Sequence, residues 1–306
     1  MAVDATQPGR LPNLVIAGVS KAGTTSLFGY LGQHPEIGTS DVKELRYFTP
    51  LRYGAEPGPV DAYASHFNGC LRERYALEAT PGYFYGGERL ARGLDATCPD
   101  ARVLVSLREP SQRCWSWYGF VKSRLRIPKE MTFEQYLDRC EELHRAGVDG
   151  EIDNQPFWGL GGGCYATWLP DWSATFGDRF RLLFFDDLAA EPAKVVRSVC
   201  EWLGLDPTPV DGFQFEVDNR TQQYRNKRLQ RVAVGLNRRA ESFFHRHRTL
   251  KGALRRGYYA VNRAASESMP AGARERLREF YGPHNARLTE QLAPLGLTLP
   301  PEWSRP

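Results

Sequence analysis

Residues 14–25 restrict the fold more sharply than any other stretch. An apolar run, Leu14 to Ala17, passes into Gly18-Val19-Ser20-Lys21-Ala22-Gly23-Thr24-Thr25, and a segment with Leu27, Tyr30 and Leu31 at helical spacing follows. That order reads as strand, loop, helix. The bracketing glycines let the backbone turn tightly, and N–H groups at a helix start collect partial positive charge that stabilises an anion. Ser20, Lys21, Ala22, Gly23, Thr24 and Thr25 are therefore candidates for a phosphate cradle.

The alternation continues along the chain. Pro35 stops the first helix, and short apolar stretches at 36–40, 75–79, 102–107 and 180–185 read as strands. Helical patterns run over about 87–97, 111–124, 132–146, 164–176, 192–203 and 271–292, whereas 49–72, rich in Pro, Gly and Tyr, reads as surface connection. Strands alternating with helices predict a three-layer α/β/α fold around a central parallel sheet, with ligands at the carboxyl ends of the strands. The segments carrying Glu44, Pro81 and Arg108 are expected at that edge. The predicted organisation is a polar leader, 1–12, and a single domain, 13–306. Within it lie an α/β core over 13–205, an insert at about 125–162, and a basic, mostly helical part over 206–306.

The glycine loop has the G-x-x-x-x-G spacing of a nucleotide-triphosphate P-loop. Thr24 and Thr25, however, stand where that motif needs Lys followed by Ser or Thr, and the cation, Lys21, has moved inside the loop. A second anion site is written into Leu107-Arg108-Glu109-Pro110-Ser111-Gln112-Arg113-Cys114-Trp115-Ser116. An arginine at a strand end, a proline in the first helical turn and a serine eight residues beyond the arginine can converge on one phosphate.

Together these stretches resemble the 5′-phosphosulfate loop and the 3′-phosphate motif, R-(D/N/E)-P-x-x-R-x-x-S, of sulfotransferases that use 3′-phosphoadenosine 5′-phosphosulfate (PAPS). The resemblance implies a P-loop-like sulfotransferase fold, PAPS as donor, the 3′,5′-bisphosphate PAP as product, and a 3′-phosphate grip by Arg108 and Ser116. Lys43-Glu44-Leu45-Arg46-Tyr47-Phe48 resembles K-E-x-H-(F/Y)-F of the heparan-type branch and its bacterial relatives, which implies that Glu44 is the general base toward the acceptor, with Lys21 as the other catalytic residue. Glu78 to Phe84 looks like E-K-(S/T)-P-x-Y-F of that branch, and the likeness extends over about 12–205 and 271–292. Arg46, Pro81, Tyr83, Phe84, Phe157 and Trp158 are the implied acceptor-binding candidates. Arg46 replaces the branch's frequent His and Ala79 its Lys. No cysteine follows Cys200, so the disulfide-closed phosphate loop of the vertebrate enzymes is absent, and Arg225-Asn226-Lys227 is the candidate to cover the donor instead.

Composition bounds the partners. The net charge of +4 conceals a run of thirteen Lys or Arg against one acid over 220–263, a local +12 that leaves −8 for the rest of the chain. Such a block suits an anionic cofactor or substrate, a nucleic acid or a membrane surface. The reading adopted is a small-molecule, glycan or lipid acceptor, with no nucleic-acid partner and no metal, since a transferring sulfuryl group carries less charge to neutralise than a phosphoryl group. No apolar run approaches the roughly 20 residues of a membrane span, and the start lacks a basic-then-apolar signal, so a cytoplasmic protein is expected. Six cysteines without a C-x-x-C pair predict buried, reduced thiols. The rival readings are a P-loop kinase, with 181–186 as the strand ending in a magnesium-binding aspartate, and a nonenzymatic anion binder built on 220–263.

Overall fold

The structure is a computed structural model that describes residues 9–216 and 268–303. Arg225, Lys227 and the basic run 220–263 lie outside the described residues. The chain groups into two compact units, one of residues 9–109, 165–216 and 284–303, the other of residues 110–164 and 268–283.

The first unit holds the sheet. Strands β1 (Leu14–Gly18), β2 (Ile37–Thr39), β3 (Tyr75–Ala79), β4 (Arg102–Leu107) and β5 (Phe180–Phe184) line up in the order β2-β3-β1-β4-β5. Every adjacent pair is parallel. Each residue of β1 and β3 is buried, as parallel strands covered on both faces require. The chain moves to one side of β1 for β2 and β3 and to the other for β4 and β5. The order thus reverses beside β1, and in open α/β sheets a ligand crevice forms at the strand ends where that happens. The loops following β1 and β4 meet there.

Helix α1 (Thr24–Leu31) packs its Leu27, Phe28 and Leu31 against Leu14, Ile16 and Leu77 of the sheet and against Val196, Val199 and Leu203 of a late helix, Pro192–Leu203. Two short helices, α2 (Thr49–Arg52) and α3 (Val60–Ala64), occupy the stretch expected to be plain surface connection, and they bury Leu51 and Tyr63. Helix α4 (Gly87–Thr97) follows as expected. The helix expected over 164–176 is reduced to Leu169–Phe176. Tyr165–Thr167 takes a separate 3-10 turn instead, and Pro170 sits in the first turn of the helix that does form.

In the second unit, helix α5 (Pro110–Ser123) and helix α6 (Phe133–Arg145) bring Tyr118, Phe133 and Tyr136 together, with α6 started by a capping box between Thr132 and Gln135. The expected insert, 125–162, falls within this unit. The six cysteines are all buried and none is in a disulfide. Among the described residues no helix is long and apolar enough to cross a membrane.

Candidate functional site

At the end of β1 the chain enters the phosphate loop, and two of its residues take left-handed backbone, Lys21 at φ 77 and Gly23 at φ 76. Gly23 is the N-cap of α1. A β-carbon there would lie 2.9 Å from Cδ2 of Phe185, so both backbone and space call for glycine. The loop is fastened three times to β4 and the residue that follows it. Val19 N–H donates to the Ser106 carbonyl at 2.9 Å, the Ser106 hydroxyl donates to the Ala22 carbonyl at 2.9 Å, and Arg108 Nη1 donates to the Lys21 carbonyl at 3.1 Å. The Arg108 guanidinium lies over the Phe185 ring at 4.6 Å, and Tyr165 donates to the Arg108 carbonyl at 2.8 Å. Lys21 and Arg108, assigned to opposite ends of one nucleotide, thus come together at the β1–β4 edge. Thr24 is buried, Ser20 and Thr25 are half-buried, and the first N–H groups of α1 have no acceptor within the helix itself.

Glu44 lies on the turn that follows β2. Lys43 Nζ is 3.3 Å and Arg46 Nη2 3.2 Å from its two carboxylate oxygens. In an extended backbone residues two apart share a side, but Glu44 and Arg46 are both left-handed, at φ 67 and φ 59, and it is the turn itself that brings the two side chains together. The Glu44 side chain keeps 42 % of its surface exposed, yet desolvation by the surrounding protein is the largest single influence and pulls its pKa up. The charges and hydrogen bonds of Lys43 and Arg46 together pull harder the other way. The carboxyl therefore titrates below its ordinary value and is ionised at neutral pH.

Three alternate backbone N–H groups dock this turn onto the end of β3. Glu44 donates to the Ala79 carbonyl at 3.0 Å, Arg46 to Thr80 Oγ1 at 3.2 Å, and Phe48 to Tyr83 Oη at 3.3 Å. Beneath them Glu78 is fully buried and accepts from Thr80 Oγ1 at 2.6 Å and Tyr63 Oη at 2.9 Å. Burial drives the Glu78 pKa up to about 6, while the hydroxyls of Thr80, Tyr63 and Tyr83 oppose that rise. Glu78 opens the motif that runs to Phe84, but the sequence alone assigns it no role; the further signal is a lone carboxylate in the otherwise apolar run Tyr75-Ala76-Leu77-Glu78-Ala79.

The aromatic candidates sit deeper than an acceptor-lining role calls for. Tyr83 and Phe84 are fully buried: the Tyr83 hydroxyl holds the Phe48 N–H, and Phe84 packs among Tyr165, Trp168 and Trp172. As placed here they are core side chains, and Pro81 is buried too. In the second unit, Ser116 is half-buried on α5. Arg113, the middle arginine of the same motif, is fully buried and donates to the Gly159 carbonyl at 2.8 Å. A β-carbon at Gly162 would come within 2.5 Å of Arg113 Nη2, so this arginine and the glycine turn require each other, a structural role the motif alone did not disclose. Phe157 stacks on Tyr136 with centroids 5.6 Å apart, and Trp158 is buried.

The aspartate at the end of β5, on which a kinase reading depends, is engaged: Asp186 accepts from Trp303 Nε1 at 2.9 Å. His34 is likewise a packing residue, buried and bonded to the Asp206 carbonyl at 2.9 Å. Among the described residues, no group of three or more His, Cys, Asp or Glu is placed to hold a metal ion.

Comparison with known proteins bears on the family and the fold. The family described as "Sulfotransferase domain" matches residues 95–249, just over half of the chain. Human "Bifunctional heparan sulfate N-deacetylase/N-sulfotransferase 1" is 26% identical over 308 residues, covering 97% of this chain and 31% of that protein. "Membrane-associated sulfotransferase kil1" of Dictyostelium discoideum is 33% identical over 147 residues, covering 46% of this chain and 30% of that protein. The chain spans under a third of the length of either relative. Among solved structures, a sulfotransferase from Alicyclobacillus acidocaldarius shares the fold, with a TM-score of 0.68 at 24% identity over 97% of this chain and 100% of that one. With that family model matching more than half of its length and the fold shared, the chain belongs to the sulfotransferase family.

Proposed function

We propose that this protein transfers the sulfuryl group of PAPS, by in-line displacement, to a hydroxyl or amine of a small-molecule, glycan or lipid acceptor. The observation that carries the reading is the bracing of the Lys21 loop by Arg108 at the same sheet edge that presents Glu44. The residues suit such a donor: backbone N–H groups and the hydroxyls of Thr24 and Thr25 at a helix start for the 5′-phosphosulfate, and a cation within the loop. Arg108 and Ser116 take the 3′-phosphate.

In the transfer, a bond forms between the acceptor oxygen or nitrogen and sulfur, and the bond from sulfur to the 5′-phosphate oxygen breaks. Negative charge grows on that departing oxygen, where Lys21 stabilises it. The acceptor proton passes to Glu44, ionised and paired with Lys43 and Arg46, and PAP leaves. The test is transfer of label from sulfur-labelled PAPS to a panel of N-unsubstituted heparosan oligosaccharide, a phenol and a long-chain alcohol. Label in one acceptor class supports the reading and names the class. Failure to label any of them, together with failure to bind PAP in calorimetry, refutes it.

A further inference from the structure

Glu78 is not a residue that could be removed without consequence for the turn above it. An ionised carboxylate only accepts hydrogen bonds, so the hydroxyls of Tyr63, Thr80 and Tyr83 around it must point their hydrogens inward. Thr80 has one hydrogen, given to Glu78 at 2.6 Å, and its oxygen is thereby left to accept the Arg46 N–H at 3.2 Å. The Tyr83 oxygen accepts the Phe48 N–H in the same way. The rings reinforce this: Tyr47 stacks on Tyr63 with centroids 4.2 Å apart, and Phe48 sets its edge on Tyr83 at 5.5 Å.

We propose that Glu78 is the positioning residue of the reacting turn: through the Thr80 and Tyr83 hydroxyls its carboxylate fixes the backbone of Arg46 and Phe48, and so sets where Glu44 points. The consequence for turnover rests on Glu44 being the base; the positioning itself does not. The device is sensitive to acid. Protonated Glu78 becomes a donor facing donors, one hydroxyl must rotate away, and a link holding the left-handed turn weakens. The groups that face Glu78 are Tyr63 from α3, Thr80 and Tyr83 from the segment after β3, Lys43 from the turn, and Cys98 at the end of α4. Burial and the nearby carboxylate raise the pKa values of Tyr63, Tyr83 and Cys98, so none of the three ionises across the acid range, and Glu78 is the group of this cluster that titrates near pH 6.

Amide hydrogen exchange on the full chain tests the inference without any acceptor. In the wild type, protection of residues 44–48, corrected for intrinsic exchange rates, should fall roughly tenfold between about pH 7.5 and about pH 5, the effect of losing one link to a charged network. Glu78→Gln should show the low protection already at the higher pH. Thr80→Val should do the same even if Glu78→Gln fails to fold, and Thr80→Ser, which keeps the hydroxyl, should restore protection. At about pH 7.5, the PAP affinity of each variant should stay within about twofold of wild type, because no donor-binding residue is altered. Protection in Glu78→Gln or Thr80→Val equal to wild type, and flat with pH, would overturn the proposal. The two readings fail separately: an active Glu44→Gln enzyme removes the base assignment and leaves the exchange result in place, whereas flat exchange removes the role of Glu78 alone.

Discussion

Replacing Glu78 by glutamine should remove one component of the pH dependence of stability, and its sign is opposite to that of a paired surface carboxylate. The folded carboxyl titrates at about 6 against an ordinary value of 4.5, raised by burial. Between those two values the unfolded chain has released its proton while the folded chain still holds one, so stability falls as pH rises through the window. A separation of about one and a half pH units corresponds to roughly 2 kcal/mol, lost by about pH 7. Glutamine keeps the shape and cannot titrate. Urea midpoints for wild type and variant at about pH 4.5, 5.5 and 6.5, converted with a common slope, give a difference from which all distant groups cancel. If the two units unfold separately, exchange of the β3 amides reports the unit that holds Glu78. Wild-type and variant curves that stay parallel to within about 0.5 kcal/mol would refute the argument, because they would show that Glu78 has no displaced titration.

Glu44→Gln should lower sulfuryl transfer by about two to four orders of magnitude with PAP affinity unchanged, and near-wild-type turnover in a folded variant would send the search for a base elsewhere. Arg108→Ala should weaken PAP binding by roughly 1.5–3 kcal/mol and binding of the analogue without a 3′-phosphate by much less, as titration calorimetry with both ligands will show; equal losses would make Arg108 a brace of the loop only. Gly23→Ala forces a β-carbon to within 2.9 Å of Phe185 in a left-handed backbone, and should cost about 1–2 kcal/mol in urea unfolding and weaken PAP binding. Neither effect appearing would mean that the loop relaxes without difficulty.

What was legible beforehand followed from local physics. A fully apolar strand running into a bracketed glycine loop and a helix start is written in contiguous residues, and so are the Arg108 strand end and its proline. The two short helices over 49–64 were not legible, because four- and five-residue helices broken by Pro and Gly carry no period, and tertiary burial of Leu51 and Tyr63 is what holds them. Tyr83 and Phe84 illustrate a different loss. Their motif places them beside the site, but aromatic identity does not distinguish a lining side chain from one packed beneath it, and here Trp168, Trp172 and Phe48 cover them. The role of Glu78 was not legible although it opens a quoted motif, because Thr80 and Tyr83 lie nearby in sequence but the third partner, Tyr63, is brought to it only by the folded chain.

Four non-glycine residues among those described have a left-handed backbone, and three of them, Lys21, Glu44 and Arg46, bear the charges assigned to the reaction. The fourth, Leu125, has an ordinary explanation: it follows α5 where Arg126 N–H reaches back to the Val121 carbonyl, the usual way of closing a helix. The other three close no helix, and each costs about 1–2 kcal/mol relative to glycine. Hydrogen bonds to neighbouring segments over-determine them: Lys21 through its carbonyl to Arg108, Glu44 through its N–H to Ala79, and Arg46 through its N–H to Thr80. Had the chain continued extended beyond β1 and β2, successive side chains would have fallen on alternate faces of the sheet, where helices cover them. A left-handed residue breaks that alternation at the strand end. Glycine at 21, 44 or 46 would relieve the strain and delete the ammonium, carboxylate or guanidinium. The conflict between backbone preference and side-chain chemistry thus falls at the edge where the proposed reaction brings an anion and an acceptor together, and on that reading local foldability yields to function there.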